Sequence, residues 1–192
     1  MIGYALCGSF CTHARSIAML ERLVKEYEIQ PILSERCIHT DTRFGSAAAL
    51  LSQVESLCRR PCISTVEAAE PLGPKMPLDA LIIAPCTGNT MAKIAAGITD
   101  GAVTMAAKAH LRGGRPLLIA AATNDALSAN LSNIGQLLLR KHVYFVPMAQ
   151  DDPTGKPTSM IADFSLIPDA LKLAMEEKQL QPLFLPAGSV RL

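Results

Sequence analysis

The chain has 192 residues, 49% of them apolar and 18% charged, with a formal net charge of +1. That balance suits one well-buried α/β-sized core and excludes a disordered chain. It supplies no strong field, so neither nucleic acid nor a membrane is expected as a partner. The first residues carry no basic segment ahead of a long apolar run, so no signal peptide is expected, and no apolar run predicts a membrane span. A cytoplasmic protein is the expectation. The low charged fraction, with long Ala/Leu/Ile faces, points toward burial against copies of itself.

In chain order, Ile2 to Cys7 reads as a short apolar strand, broken by Gly8 and Ser9. From Thr12 to Glu26 the apolar positions Ile17, Leu20, Leu23 and Val24 recur at helical spacing, with Thr12 as N-cap. Ile29 to Leu33 is a second strand, and residues 34–45 are polar and irregular. A helix follows over 46–58. Pro61, Pro71, Gly73, Pro74 and Pro77 punctuate the next stretch, with a short helix at 64–69 in which Ser64 and Glu67 are spaced as a capping box.

Leu78 to Ala84 is a nearly continuous apolar run ending at Pro85, as in a central parallel strand covered on both faces. Thr87 to Thr90 is a turn. Helices are predicted at 91–96 and 103–111, separated by Gly97 and Asp100. Pro116 to Ala122 is another buried strand, followed by polar Thr123 to Asp125. A helix then carries Leu131, Ile134, Leu137 and Leu138. Val143 to Val146 is a strand ending at Pro147, and 150–157 is a loop. The last helix is predicted over 159–178, bent before Pro168, and 181–192 is a C-terminal tail. Alternation of strands and helices throughout predicts one α/β domain over 1–192, a three-layer, doubly wound parallel sheet.

In such a sheet, ligands bind beyond the carboxyl ends of the strands. Those ends carry Gly8-Ser9, Ser34, Pro85 through Thr90, and Asn124-Asp125. Hydroxyls, amides and helix N-terminal N–H groups gathered there suit a phosphate or a ring amide edge. No dinucleotide fingerprint and no P-loop is present. Gly8 and Ser9 read either as a phosphate turn or as an ordinary strand-to-helix turn. Asn89 either contacts a ligand or caps the next helix, and Asn124 and Asp125 carry the same ambiguity. Cys86 reads as a small residue at the pocket mouth or as an activated thiolate. His39, within the polar 34–45 segment, is a candidate for substrate contact. His110 sits where a helix C-terminus explains it, and His142 is expected to face solvent. Arg43 and Lys75 lie in loops and read as carboxylate holders or as solvated charges. The six cysteines are expected as free thiols. Cys7, Cys11 and His13 lack a completing ligand set, so no structural metal is expected.

The segment Ala84-Pro-Cys-Thr-Gly-Asn-Thr-Met-Ala-Lys-Ile-Ala-Ala-Gly-Ile-Thr-Asp100 resembles the family of flavin-binding cysteine decarboxylases and flavin prenyltransferases. Asp41-Thr-Arg-Phe-Gly45, Ala69 through Asp79, Met105-Ala-Ala-Lys-Ala109, Thr123-Asn-Asp-Ala-Leu127 and Gln150-Asp-Asp-Pro153 narrow the resemblance to one branch of that family. The resemblance implies a flavodoxin-like or Rossmann-like fold and trimers, or multiples of trimers. It implies a flavin mononucleotide (FMN) site, in which Gly8 and Ser9 match the first phosphate turn. Ser34 matches the hydroxyl after the second strand. Pro85, Thr87, Asn89 and Thr90 match the flavin-side turn, and Asn124 matches the asparagine of the family's P-x-M-N motif.

For the branch, the resemblance implies a separate A subunit similar to a nicotinamide-dependent dehydrogenase, with NAD(P) bound on that partner. The pair is expected to oxidise a dihydrodipicolinate-type dicarboxylate to dipicolinate in the mother cell of a sporulating bacterium. Arg43 and Lys75 are then expected to hold the two carboxylates, with His39 nearby. Two departures stand out. Gly45 to Pro85 contains no histidine, where the decarboxylases place their catalytic one. The P-x-M-N-x-x-M-W motif is reduced to Ala121-Ala-Thr-Asn-Asp-Ala-Leu-Ser128. Both argue against cysteine decarboxylation and leave the pocket to flavin, to the dicarboxylate, or to part of the partner's cofactor. Alternatives are an independent FMN enzyme and a non-catalytic activator of the dehydrogenase-like partner.

Overall fold

The computed structural model describes residues 1–73 and 75–190. Pro74 and the last two residues of the predicted tail lie outside the described residues. Five parallel strands form the centre: β1 (Ile2–Leu6), β2 (Ile29–Leu33), β3 (Ala80–Cys86), β4 (Leu117–Thr123) and β5 (Val143–Phe145). They pair in the order β2-β1-β3-β4-β5. Every residue of β1, β2 and β3 is buried. This is why those segments read as unbroken apolar runs rather than alternating ones.

Crossovers carry the helices α1 (His13–Leu23), α2 (Glu35–His39), α3 (Ala47–Cys58), α4 (Val66–Ala69), α5 (Gly88–Ala96), α6 (Ala102–Leu111) and α7 (Leu131–Leu138), and α8 (Ile167–Met175) follows the last strand. No helix among the described residues is long and apolar enough to cross a membrane.

Several local expectations are corrected. The predicted helix over 159–178 is divided: Met160–Ala162 is a strand, β7, and α8 begins only at Ile167. β7 runs antiparallel to the end of β4 and to β6 (Met148–Ala149). A three-residue strand has too few positions to show a period of two, and its partners lie far away in sequence. Pro168 stands in the first turn of α8, where its missing N–H costs nothing, rather than at a bend. Thr12 stands at the N-cap position of α1, as expected, but its hydroxyl donates to the Ser9 carbonyl and accepts nothing from the helix. Thr65, not Ser64, caps α4 by accepting from the Ala68 N–H. Residues 35–39 of the irregular segment form α2.

The tail returns to its own chain. Met148 donates to the Leu183 carbonyl, Leu185 donates to the Met148 carbonyl, and Val190 is buried. β4 is the branching strand of this arrangement. Its first half pairs with β5 and its last two residues pair with β7. That fork brings the 150–161 segment to the carboxyl end of the parallel sheet.

Candidate functional site

The strand order reverses between β1 and β3. The chain leaves β1 toward β2 on one side, and leaves β3 toward β4 on the other. A crevice opens at such a switch point, outside the carboxyl ends of the strands. Here it is lined by Gly8, Phe10 and Thr87, which border two hollows at once.

The larger hollow, about 940 Å³, lies on the β2 side and carries Ser34, His39, Asn89 and Thr90. Thr87 caps α5: its hydroxyl accepts from the Thr90 N–H at 3.3 Å and lies 3.0 Å from the Thr90 hydroxyl. Thr90 in turn donates to the Cys7 sulfur at 3.3 Å. Ser34 precedes α2 and donates to the Cys37 sulfur at 3.3 Å. The charges of this hollow balance. Lys93 pairs with Asp100 at 2.8 Å, and the Glu35 carboxylate accepts from the Ala102 N–H.

The second hollow, about 610 Å³, lies on the β4 side and carries Ser9, Arg15, Arg43, Asn124, Asp151 and Lys156. Its three cations face a single carboxylate, so it favours an anion. Arg43 lies on the exposed rim, its guanidinium 4.8 Å from the centre of the Phe44 ring. The Asn124 carbonyl accepts from Thr158 at 2.6 Å, and its side-chain oxygen accepts from Ser159 at 3.4 Å. Lys156 reaches the Asp151 carboxylate at 3.4 Å. Burial pushes the Asp151 carboxyl up, but hydrogen bonding from Ser159 and the charge of Lys156 outweigh it and hold the group below its usual range.

The site residues named from sequence are therefore divided. His39, Ser34, Asn89 and Thr90 share the larger hollow, while Arg43, Ser9 and Asn124 share the second. Pro85 is buried inside β3, behind the crevice. Lys75 is not brought to either hollow. It precedes β3, and its neighbour Gly73 packs on Ala109 near the far end of α6, whose N-terminus faces the crevice. Cys86 lines neither hollow; full burial raises its thiol well above the ordinary range, so it is not an activated thiolate. Asp125 caps no helix, because α7 starts only at Leu131; its carboxylate accepts instead from Thr123 and from Asn130. His142 is half-buried, 3.7 Å from Glu177.

Four residues of the second hollow were not singled out from sequence: Arg15, Asp151, Lys156 and Ser159. Arg15 is a polar position on a helix, with no local mark of a site. Ser159 fell inside a predicted helix, and only β7 brings it inward. The one signal for Asp151 was the Gln150-Asp-Asp-Pro153 motif. Gly88 was missed as well. A side chain there would meet the Asp125 carboxylate and the Thr123 hydroxyl, each at 2.7 Å.

The flavin implied by the resemblance would meet polar groups in the larger hollow. The Ser34, Thr87 and Thr90 hydroxyls lie on one wall with the first turn of the nine-residue α5, whose N–H groups suit a phosphate. Among the described residues, no group of three or more His, Cys, Asp or Glu side chains could hold a metal ion.

A model of the flavoprotein family matches residues 1–167. The chain is 43% identical over 183 residues to the B subunit of dipicolinate synthase of Bacillus subtilis (strain 168), covering 95% of this chain and 92% of that protein. The crystal structure of the dipicolinate synthase B subunit from Bacillus halodurans C matches with a TM-score of 0.89 and 37% identity, over 97% of this chain and 96% of that one. That of the FMN-dependent cysteine decarboxylase SpaF matches with a TM-score of 0.62 and 26% identity, over 90% of this chain and 95% of that one. The switch-point crevice, the family model and the shared length of these relatives converge: the chain belongs to the flavoprotein family, on the branch of the dipicolinate synthase B subunits.

Proposed function

We propose that this chain works as the B subunit of a dipicolinate synthase, with the dipicolinate synthase A subunit as its partner. The pair oxidises a dihydrodipicolinate-type ring to dipicolinate in the mother-cell cytoplasm of a sporulating bacterium. The observation that carries this reading is the second hollow, in which Arg15, Arg43 and Lys156 face one carboxylate. A ring bearing two carboxylates needs cations or N–H donors on both sides, and arginine offers a planar fork that matches a carboxylate. Arg43 holds one carboxylate at the rim, where an exposed loop can adjust to the ligand.

No side chain accepts a hydride, so the oxidant is a cofactor. NAD(P) on the A subunit fills that role. FMN is proposed for the larger hollow, its phosphate held by Ser34, Thr87, Thr90 and the α5 N-terminus, with Asn89 beside it and Ser9 across the shared border in the second hollow. A flavin bound there would supply a further two-electron acceptor. Self-association, as a trimer or a multiple of trimers, is supported by Leu131, Leu139 and Ile98, which stand exposed on the surface.

The test is turnover by the reconstituted A–B pair. Arg43→Ala is expected to reduce turnover while leaving the complex intact by gel filtration. An unchanged rate would remove Arg43 from the site. A pair equally active without this chain's cationic side chains would make the chain an activator rather than a catalytic component.

A further inference from the structure

Two residues that border the second hollow each have one buried charge-bearing atom without a hydrogen-bond partner, Arg15 Nη1 and Asp151 Oδ1. Both residues line the same space of about 610 Å³. They are of opposite sign, yet they do not pair with each other. The Asp151 ion pair is made by its other oxygen, with Lys156 at 3.4 Å. Arg15 takes part in no ion pair among the described residues. Leaving a buried charge-bearing atom unpaired is costly. Two residues of opposite sign bordering one hollow offer a cation and a carboxylate to a ligand bound there.

Their positions suit that role. Arg15 is on the first turn of α1, a long helix docked on the sheet. Asp151 follows β6 in the loop to β7, and Lys156 reaches one oxygen of its carboxylate at 3.4 Å. A cation carried by a helix on one wall and a carboxylate on a separate loop can hold a flat ring between them.

We propose that Arg15 binds one carboxylate of the ring substrate and that Asp151 Oδ1 receives the proton the ring releases on oxidation. This rests on the proposed function and assigns the two remaining roles in it. In the step, one ring C–H bond breaks with its electron pair, which leaves as hydride to the partner's oxidised nicotinamide. A second ring hydrogen leaves as a proton to Asp151, and its electron pair stays to complete the aromatic ring. The dihydro ring loses one hydride and one proton, the nicotinamide is reduced, and the two carboxylates are unchanged. Arg43 holds the second carboxylate from the rim.

The test uses the reconstituted A–B pair, with steady-state kinetics and with dipicolinate itself as a binding probe in equilibrium dialysis. Arg15→Gln is expected to raise KM and weaken dipicolinate binding by about tenfold or more, as loss of a charge-assisted pair requires, with little change in kcat. Arg15→Lys should recover part of the loss. Asp151→Asn, nearly isosteric, should lower kcat by about 100-fold, the scale of a lost general base, while dipicolinate still binds. If Arg15→Gln folds poorly, Arg15→Lys decides the assignment by the same KM shift. Wild-type binding of dipicolinate together with wild-type kinetics in Arg15→Gln or Asp151→Asn would overturn this assignment and leave the proposed function standing. A wild-type pair that neither binds dipicolinate nor makes it would overturn both.

Discussion

Glu35 Oε1 accepts a hydrogen bond from the backbone N–H of Ala102 at 2.9 Å, so a carboxylate at the start of α2 closes the N-terminus of α6, 67 residues later in the chain. A negative group on the orphan N–H groups of a helix start is favourable, by about 0.3–1 kcal/mol at an exposed position. It also occupies the α6 start, leaving that of α5 open to an anion in the same hollow. Glu35→Ala is therefore expected to lower the melting temperature by about 1–4 °C, a shift readable by differential scanning calorimetry. Glu35→Gln should lose less, because the amide oxygen still accepts.

Gly88 leads to a stronger effect. The Cβ of an alanine there would press on the Asp125 carboxylate and the Thr123 hydroxyl, both already tied into one network with Asn130. Overpacking of this kind costs about 1–3 kcal/mol. Gly88→Ala should unfold at lower denaturant with an unchanged slope. Gly8→Ala should be far milder, since its Cβ would meet its nearest neighbour at an ordinary 3.4 Å.

Acid should destabilise the fold through two histidines. His13 and His110 are held below the ordinary value of 6.5 chiefly by burial, against the opposing pull of the Cys7 and Pro116 carbonyls that their rings contact. Both take up a proton less readily in the folded chain than in the unfolded one, whose histidines titrate near 6.5. Their contribution is complete above that value and declines as pH falls below it, by at most about 1.4 kcal/mol per pH unit for each group. Melting temperature should be flat above pH 7.5 and fall steadily from pH 6.5 to 5. His110→Gln should flatten that fall.

The flavin proposal can be read by eye. The purified chain, titrated with FMN, is expected to quench flavin fluorescence saturably, and Thr87→Val with Thr90→Val should weaken this by about tenfold or more, as lost phosphate donors would. A chain that leaves flavin fluorescence unchanged would assign the larger hollow to another ligand.

Lys75 provides the internal control for the carboxylate assignment. It stands away from the crevice, so Lys75→Ala should leave turnover of the A–B pair within about twofold, the range of a surface substitution. Arg43→Ala should lower it well beyond that.

The parallel sheet was legible in the sequence because its strands are covered on both faces. Ile2–Leu6, Ile29–Leu33 and Ala80–Cys86 are apolar at nearly every position, and the helices between them repeat at 3.6 residues. The Gly8-Ser9 turn and the polar end of β3 at Thr87 were legible too, although residues 88–90, read as a turn, are the first turn of α5. Their assignment to one crevice followed from the topology of such sheets. Lys75 was misplaced because a cationic loop residue carries no local mark of which end of the sheet its loop occupies.

The sequence by itself determined the alternating α/β pattern, the ends of the central strands and the family of the chain, because these depend on local periodicity and short-range spacing. Only the tertiary structure decided that β4 forks to pair with β5 and then β7, that the 150–161 segment folds over the crevice, and that Arg15 and Asp151 share one hollow. Those depend on contacts between residues far apart in the chain, and a pairing over such distances is selected by the burial and hydrogen bonding of the whole sheet rather than by any local preference.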